Sequence, residues 1–296
     1  MRPAADPPTG PASHTEAVLP AAPRGLRALA SRAVLTGGIT ELALVGAHVL
    51  MYPLGTRVEP VRPDPSRRPG GRNPAARALF AADPLAARTP VVLVHGLIDN
   101  CSIFAVMRRS LRRRGFAHVC SWNYSPLLDD VARGAADLGA HLERVCEQTG
   151  HERVHVVGHS LGGLIARYHV QRQGGDARVA SLVTLGTPHR GSVLAHLLPT
   201  PLVRQLRPGS PVLEELALPA PGVRTPITAV YSDLDQVVLP TRAGRCDHPD
   251  LHVRNVLVRG IGHMTLPFHR QVLDEVAATL AGHRPVAVPL ATTAAA

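Results

Sequence analysis

Beyond Thr89 the chain alternates short apolar runs with longer stretches in which apolar residues recur at helical spacing. Val91 to Val94 is a continuous apolar run ending in His95-Gly96. A strand with one wet face would alternate apolar and polar residues, so an unbroken run predicts a strand covered on both faces. Comparable runs lie at Ala117 to Trp122, Val154 to Val157, Val179 to Leu185, Ile227 to Tyr231 and Val253 to Val258. The intervening segments predict helices over Ser102 to Arg114, stopped by Gly115, and over Leu127 to Gln148, stopped by Gly150. Leu161 to Gln173 and Leu266 to Ala281 complete the helical set. Strands separated by helices of this length imply parallel βαβ units with right-handed crossovers. The expected fold is α/β, a doubly wound and mostly parallel sheet with helices on both faces. Ligands of such sheets bind at the carboxyl ends of the strands.

The pattern changes toward the chain's two ends. Residues 1–74 read as an N-terminal extension, 75–284 as the catalytic domain and 285–296 as an Ala/Thr-rich tail expected to be disordered. Residues 1–24 are rich in Pro, Ala and Thr without a sustained apolar run; disorder is expected there, and no cleavable signal peptide is recognised. The expected location is therefore cytoplasmic or membrane-associated. Arg24, Arg27 and Arg32 precede an apolar run from Gly38 to Leu54, which predicts a helix within about 25–54. At ~1.5 Å per residue that run spans about 25 Å, short of a bilayer core, and it contains Glu41 and His48. Two readings stay open, a helix docked on the catalytic domain and a helix making peripheral membrane contact. From Glu59 to Asn73, Pro and Arg dominate and predict a linker. Ser192 to Gly222, rich in Leu and Pro, is expected to be a short cap whose leucines either cover an acyl chain or pack the insertion onto the domain.

Composition narrows the partners. Aromatic residues make up only 3% of the 296, so the core must be built from Val, Leu, Ile and Ala. The net charge of +10 comes from 32 basic residues, every one an arginine. Arginine without lysine, with abundant Ala, Pro and Gly, is the mark of a GC-rich bacterial genome of the actinobacterial kind, so the charge does not argue for nucleic acid. Arg108, Arg109, Arg112, Arg113 and Arg114 read as a solvated helix face. Cys101, Cys120, Cys146 and Cys246 have no metal-like spacing and read as buried thiols.

The chemistry is carried by Gly158-His159-Ser160-Leu161-Gly162-Gly163, set between an apolar strand and a helix. A serine hydroxyl becomes a nucleophile only when it is exposed, has a base beside it and faces donors for the oxyanion. A tight strand-to-helix turn supplies the exposure, and it requires small residues two before and two after the serine, where Gly158 and Gly162 stand.

The order His95-Gly96, then the Ser160 motif, then Gly186-Thr187-Pro188-His189-Arg190-Gly191, then Gly262-His263, resembles the α/β-hydrolase superfamily. Within it the match is to bacterial lipases and esterases, over Val91 to Leu280. The resemblance implies Ser160 as nucleophile and an oxyanion hole from the backbone amides of Leu161 and Leu97. It implies His263 as general base, after the last strand, in preference to His189. The acid follows the penultimate strand, where Asp235 is favoured over Asp233. His95 is expected to brace its loop and His159 to pack under the elbow. The implied activity is hydrolysis of carboxylic esters with an apolar acyl group, without metal or cofactor. Acyl transfer or thioester hydrolysis on the same residues is the alternative, and a non-catalytic binding protein the remoter one.

Overall fold

The computed structural model describes residues 87–97 and 99–282, together with the backbone of residues 15–18. The expected helix within 25–54, the linker at 59–73 and the tail at 285–296 lie outside the described residues. The strands are β1 (Thr15–Val18), β2 (Val91–Val94), β3 (Val119–Trp122), β4 (Val154–His159), β5 (Val179–Leu185), β6 (Ile227–Ser232) and β7 (Val253–Val258). They form one sheet in the order β1-β7-β6-β5-β4-β2-β3, and every neighbouring pair is parallel. The helices are α1 (Ala105–Arg113), α2 (Val131–Thr149), α3 (Leu161–Arg172), the short α4 (Pro201–Arg204) and α5 (Pro211–Glu215), and α6 (Arg270–Leu280).

The unbroken apolar strands are explained by two core layers. Along β2, Val91 and Leu93 pack into one cluster with Phe104, Met107 and Leu111 of the α1 region and Val272 and Val276 of α6. Val92 and Val94 point the other way, into the cluster that holds Leu138 and Leu142 of α2 and Leu164 and Ile165 of α3. Period-two side chains thus meet helices on both faces, as a covered parallel sheet requires.

Several bounds differ from the sequence expectation, and three of the differences have a plain physical reason. The second helix starts at Val131 because Asp130 caps it, its carboxylate accepting the Arg133 N–H at 2.8 Å. The last helix starts at Arg270, since Pro267 lacks an N–H and disfavours helix at the residue before it. Thr15–Val18, expected to be disordered, pairs with β7. The outer edge of β7 offers a row of backbone donors and acceptors, and any short proline-free segment can satisfy them. Among the described residues no helix is long and apolar enough to cross a membrane.

From β2 the chain moves outward to β3, then returns across to β4 on the other side of β2. The strand order therefore reverses between β2 and β4, and a crevice opens at the carboxyl ends of these two strands. The segments leaving there carry Leu97 and Ser160.

Candidate active site

Ser160 joins β4 to α3 with φ 52° and ψ −122°, and it alone among the described non-glycine residues has positive φ. Such a backbone costs ~1–3 kcal/mol and persists only when its surroundings impose it. Here the Ser160 N–H donates to Leu185 O at 2.8 Å, and Ser160 O accepts from Thr187 Oγ1 at 2.9 Å and from the Gly163 N–H at 3.1 Å. The elbow is thus tied to β5 and to the turn after it. The motif glycines are needed for close approach. A Cβ on Gly158 would lie 2.4 Å from Gly163 Cα, and one on Gly162 would lie 2.3 Å from the carbonyl oxygens of both Val94 and His95. Gly162 therefore lets α3 rest directly on the end of β2.

Leu161 opens α3, so its N–H is among those a helix leaves without an intrahelical acceptor. Leu97 sits half-buried in the turn after β2, packed against the core. The loop bearing it is braced as expected by His95, whose ring stacks on Tyr124 at 4.2 Å and whose Nδ1 lies 2.8 Å from Gly96 O. Tyr124 also donates its hydroxyl proton to Gly96 O.

His263 and Asp235 meet. His263 Nδ1 lies 2.8 Å from Asp235 Oδ2, and both side chains are almost wholly buried. Burial pushes the Asp235 carboxyl up, but the His263 charge and hydrogen bond, with the amides of Val238 and Val237, outweigh it. The net position is below the usual carboxylate range. Those two amides donate to Asp235 Oδ1 at 2.8 Å each, leaving Oδ2 for the imidazole. Asp233 does different work. It accepts the Gly260 N–H at 2.7 Å and pairs with Arg259 at 3.6 Å, so it closes the turn leading to His263.

His189, the rival base, lies buried 2.9 Å from Thr184 Oγ1 and 3.4 Å from Arg167. Burial and the Arg167 charge hold it well below the usual histidine range. Gly186, at the end of β5, is packed so closely that a Cβ there would lie 3.0 Å from His263 Nδ1 and 3.1 Å from Asp235 Oδ2. The carboxyl ends of β4, β5, β6 and β7 therefore converge on one place.

Three residues to which the sequence assigns no role contribute. Thr187 holds the Ser160 carbonyl, Gln236 Oε1 accepts the His263 N–H at 3.4 Å, and Asp99 contacts His159 at 3.2 Å. Thr187 could have been found, since it lies within the Gly-Thr-Pro-His motif. Gln236 and Asp99 carry no local signal.

Among the described residues, no group of three or more His, Cys, Asp or Glu is placed to hold a metal. The four cysteines are buried and form no disulfide among the described residues.

Comparison with known proteins bears on the fold and on the class of relatives. The model of the palmitoyl protein thioesterase family matches residues 90–219. A triacylglycerol lipase of Burkholderia plantarii is 39% identical over 130 residues, 41% of this chain and 36% of the relative. A triacylglycerol lipase of Vibrio cholerae is 34% identical over 149 residues, 49% of this chain and 45% of the relative. The chain thus spans less than half the length of the curated relatives it matches. Aspergillus fumigatus lipase B superposes with a TM-score of 0.60 at 17% identity, over 77% of this chain and 63% of that one. Mature Bacillus licheniformis lipase BlEst2 gives 0.55 at 18%, over 76% and 96%. The strand order, the elbow and these superpositions give the chain the α/β-hydrolase fold, and in sequence it is similar to bacterial triacylglycerol lipases.

Proposed function

We propose that this protein is a serine hydrolase that cleaves carboxylic esters through an acyl-enzyme. The observation that carries the reading is the buried 2.8 Å contact of Asp235 with His263 Nδ1, set beside the strained Ser160 elbow. With Nδ1 engaged by the carboxylate, Nε2 is the nitrogen that takes the Ser160 proton as Oγ attacks the ester carbonyl. Asp235 holds the ring and stabilises the imidazolium that forms. The amides of Leu161 and Leu97 receive the oxyanion. His263 returns the proton to the departing alcohol, and water, activated by the same imidazole, hydrolyses the acyl-enzyme.

An apolar acyl group is supported by exposed side chains on the loops beside the carboxyl edge of the sheet. Leu127 follows β3, Val193, Leu197 and Leu198 follow β5, and Val237 follows β6. The triacylglycerol lipases that match this chain bear on the same point.

A panel of p-nitrophenyl esters from acetate to palmitate tests the reading. Turnover that is abolished by Ser160→Ala is expected, and turnover unaffected by that change contradicts it. Thioester hydrolysis is a second reading, favoured by the palmitoyl protein thioesterase match over residues 90–219. A palmitoyl thioester cleaved with higher kcat/KM than the matched p-nitrophenyl palmitate replaces the ester reading by this one.

A further inference from the structure

Beside the Asp235 and His263 pair lies a second carboxylate and imidazole that the proposed reaction does not use. His159 Nδ1 is 3.2 Å from Asp99 Oδ2, and His159 Nε2 is 3.2 Å from the main-chain oxygen of His263. The His159 side chain is fully buried and that of Asp99 is 4% exposed. The two imidazole rings stand 4.8 Å apart.

Proton accounting fixes what this arrangement does. A carbonyl oxygen has no proton to give, so Nε2–H must be the donor to His263 O. The other nitrogen faces a carboxylate, and one proton is shared between them, whichever partner holds it. Both ends of the ring are therefore committed. Asp99 belongs to the loop after β2, His159 ends β4 and His263 follows β7. The ring is a bridge across the sheet, from the loop that carries the Leu97 amide to the loop that carries His263.

The space for the bridge is built in. A Cβ on Gly96 would lie 2.7 Å from Asp99 Oδ2, 3.3 Å from His159 Nδ1 and 3.1 Å from Ser160 Cβ. Only glycine lets this couple and the nucleophile share the crevice.

We propose that Asp99 and His159 form a buried support that fixes the main chain of His263, and hence the place of its ring, relative to Ser160. His159 is then a positioning residue, acting through His263 and touching no substrate. The inference rests on His263 being the base in the proposed reaction. Other contacts also hold the His263 loop: the His263 N–H donates to Gln236 Oε1 at 3.4 Å, and Ser232 Oγ donates to Ile261 O. The Asp99 and His159 bridge links it to the oxyanion side of the crevice.

The test compares four variants of the full chain, His159→Ala, His159→Gln, Asp99→Ala and Asp99→Asn, on a soluble p-nitrophenyl ester. Gln keeps an N–H for His263 O, and Asn can donate to Nδ1 of a neutral imidazole that still offers Nε2–H. His159→Ala is expected to lower kcat on the order of 10²-fold, the scale of a small misplacement of a reacting group, with KM within about twofold. His159→Gln is expected to recover at least about tenfold of that loss, and Asp99→Asn to exceed Asp99→Ala by a similar factor. If His159→Ala does not fold, the Asp99 pair decides alone. A His159→Ala enzyme within about threefold of wild-type kcat overturns the inference. So do conservative variants that fold but work no better than the alanine ones. Each result is read beside fluorophosphonate labelling of the wild type. Labelling at Ser160 with fully active His159→Ala removes only the support, whereas a wild type that does not label removes the proposed reaction and the support together.

Discussion

Ser160 keeps its left-handed backbone because three hydrogen bonds and two close glycine contacts leave it nowhere else to go. The glycines should therefore tolerate little. Gly162→Ala places a methyl 2.3 Å from two backbone oxygens of the β2 end, and the elbow must shift to admit it. A loss of kcat/KM on the order of 10²-fold in protein with an unchanged far-ultraviolet dichroism spectrum is the expected result. The two aspartates should separate cleanly. Asp235→Asn removes the acceptor that selects the His263 tautomer, and kcat should fall on the order of 10⁴-fold. Asp233→Asn, at a turn that bonds Gly260 and Arg259, should stay within about twofold of wild type. Steady-state kinetics on one ester reads both. The sequence made Ser160, His263 and Asp235 legible because each follows a strand in an order that the resemblance supplies. It could not expose Asp99, which lies 60 residues from its partner His159. That contact exists only once β2 and β4 are neighbours.

Among the elements, the strands were read most accurately, with Val91–Val94, Val179–Leu185 and Val253–Val258 matching to the residue. Burial on both faces leaves a continuous apolar run with sharp ends, whereas helix starts depend on a capping side chain or a proline one turn away. The segment 192–222, expected to be a cap, gives no sign in the sequence of how it is attached. It consists of short helical turns with Leu202, Leu206, Leu213 and Leu216 buried, while Leu197, Leu198 and Leu218 stay exposed. Helix α3 holds its later half. Arg167 donates to Leu216 O at 3.0 Å and to His189 O at 3.2 Å, Gln171 donates to Leu216 O at 2.9 Å, and Tyr168 donates to Glu215 at 2.7 Å. The helix that follows Ser160 thus also moors this segment. Arg167 is 4% exposed, and its partners are carbonyl or amide oxygens and the His189 ring. Arg167→Ala strands these buried acceptors and should cost roughly 1–3 kcal/mol. Urea unfolding measures that cost. Limited proteolysis should show cleavage within 192–222 sooner than in the wild type.

For the whole molecule, the buried histidines set the response to acid. Burial lowers His169, burial with the Arg167 charge lowers His189, and burial with the Arg144 charge lowers His141 to about 4. Each stays neutral to lower pH in the fold than in the unfolded chain, where it takes a proton near pH 6.5. The unfolded chain therefore binds more protons below that pH, and stability present above it is lost as the pH falls. Each such group adds a slope of ~1.4 kcal/mol per pH unit. Asp235, held low in the fold, adds a further loss only below the ordinary carboxylate range. The melting temperature should drop by at least about 5 °C between pH 7 and pH 4.5. A flat profile over that interval contradicts the burial of these rings as charge-free groups. The proposed reaction makes Ser160 a nucleophile activated by groups at the carboxyl ends of the strands. The most direct test is to treat the folded full chain with a fluorophosphonate and locate the adduct by mass spectrometry. A single phosphonylation at Ser160, absent from Ser160→Ala and strongly slowed in His263→Ala, is the predicted result. No adduct on Ser160, or labelling that is indifferent to His263, would contradict the account.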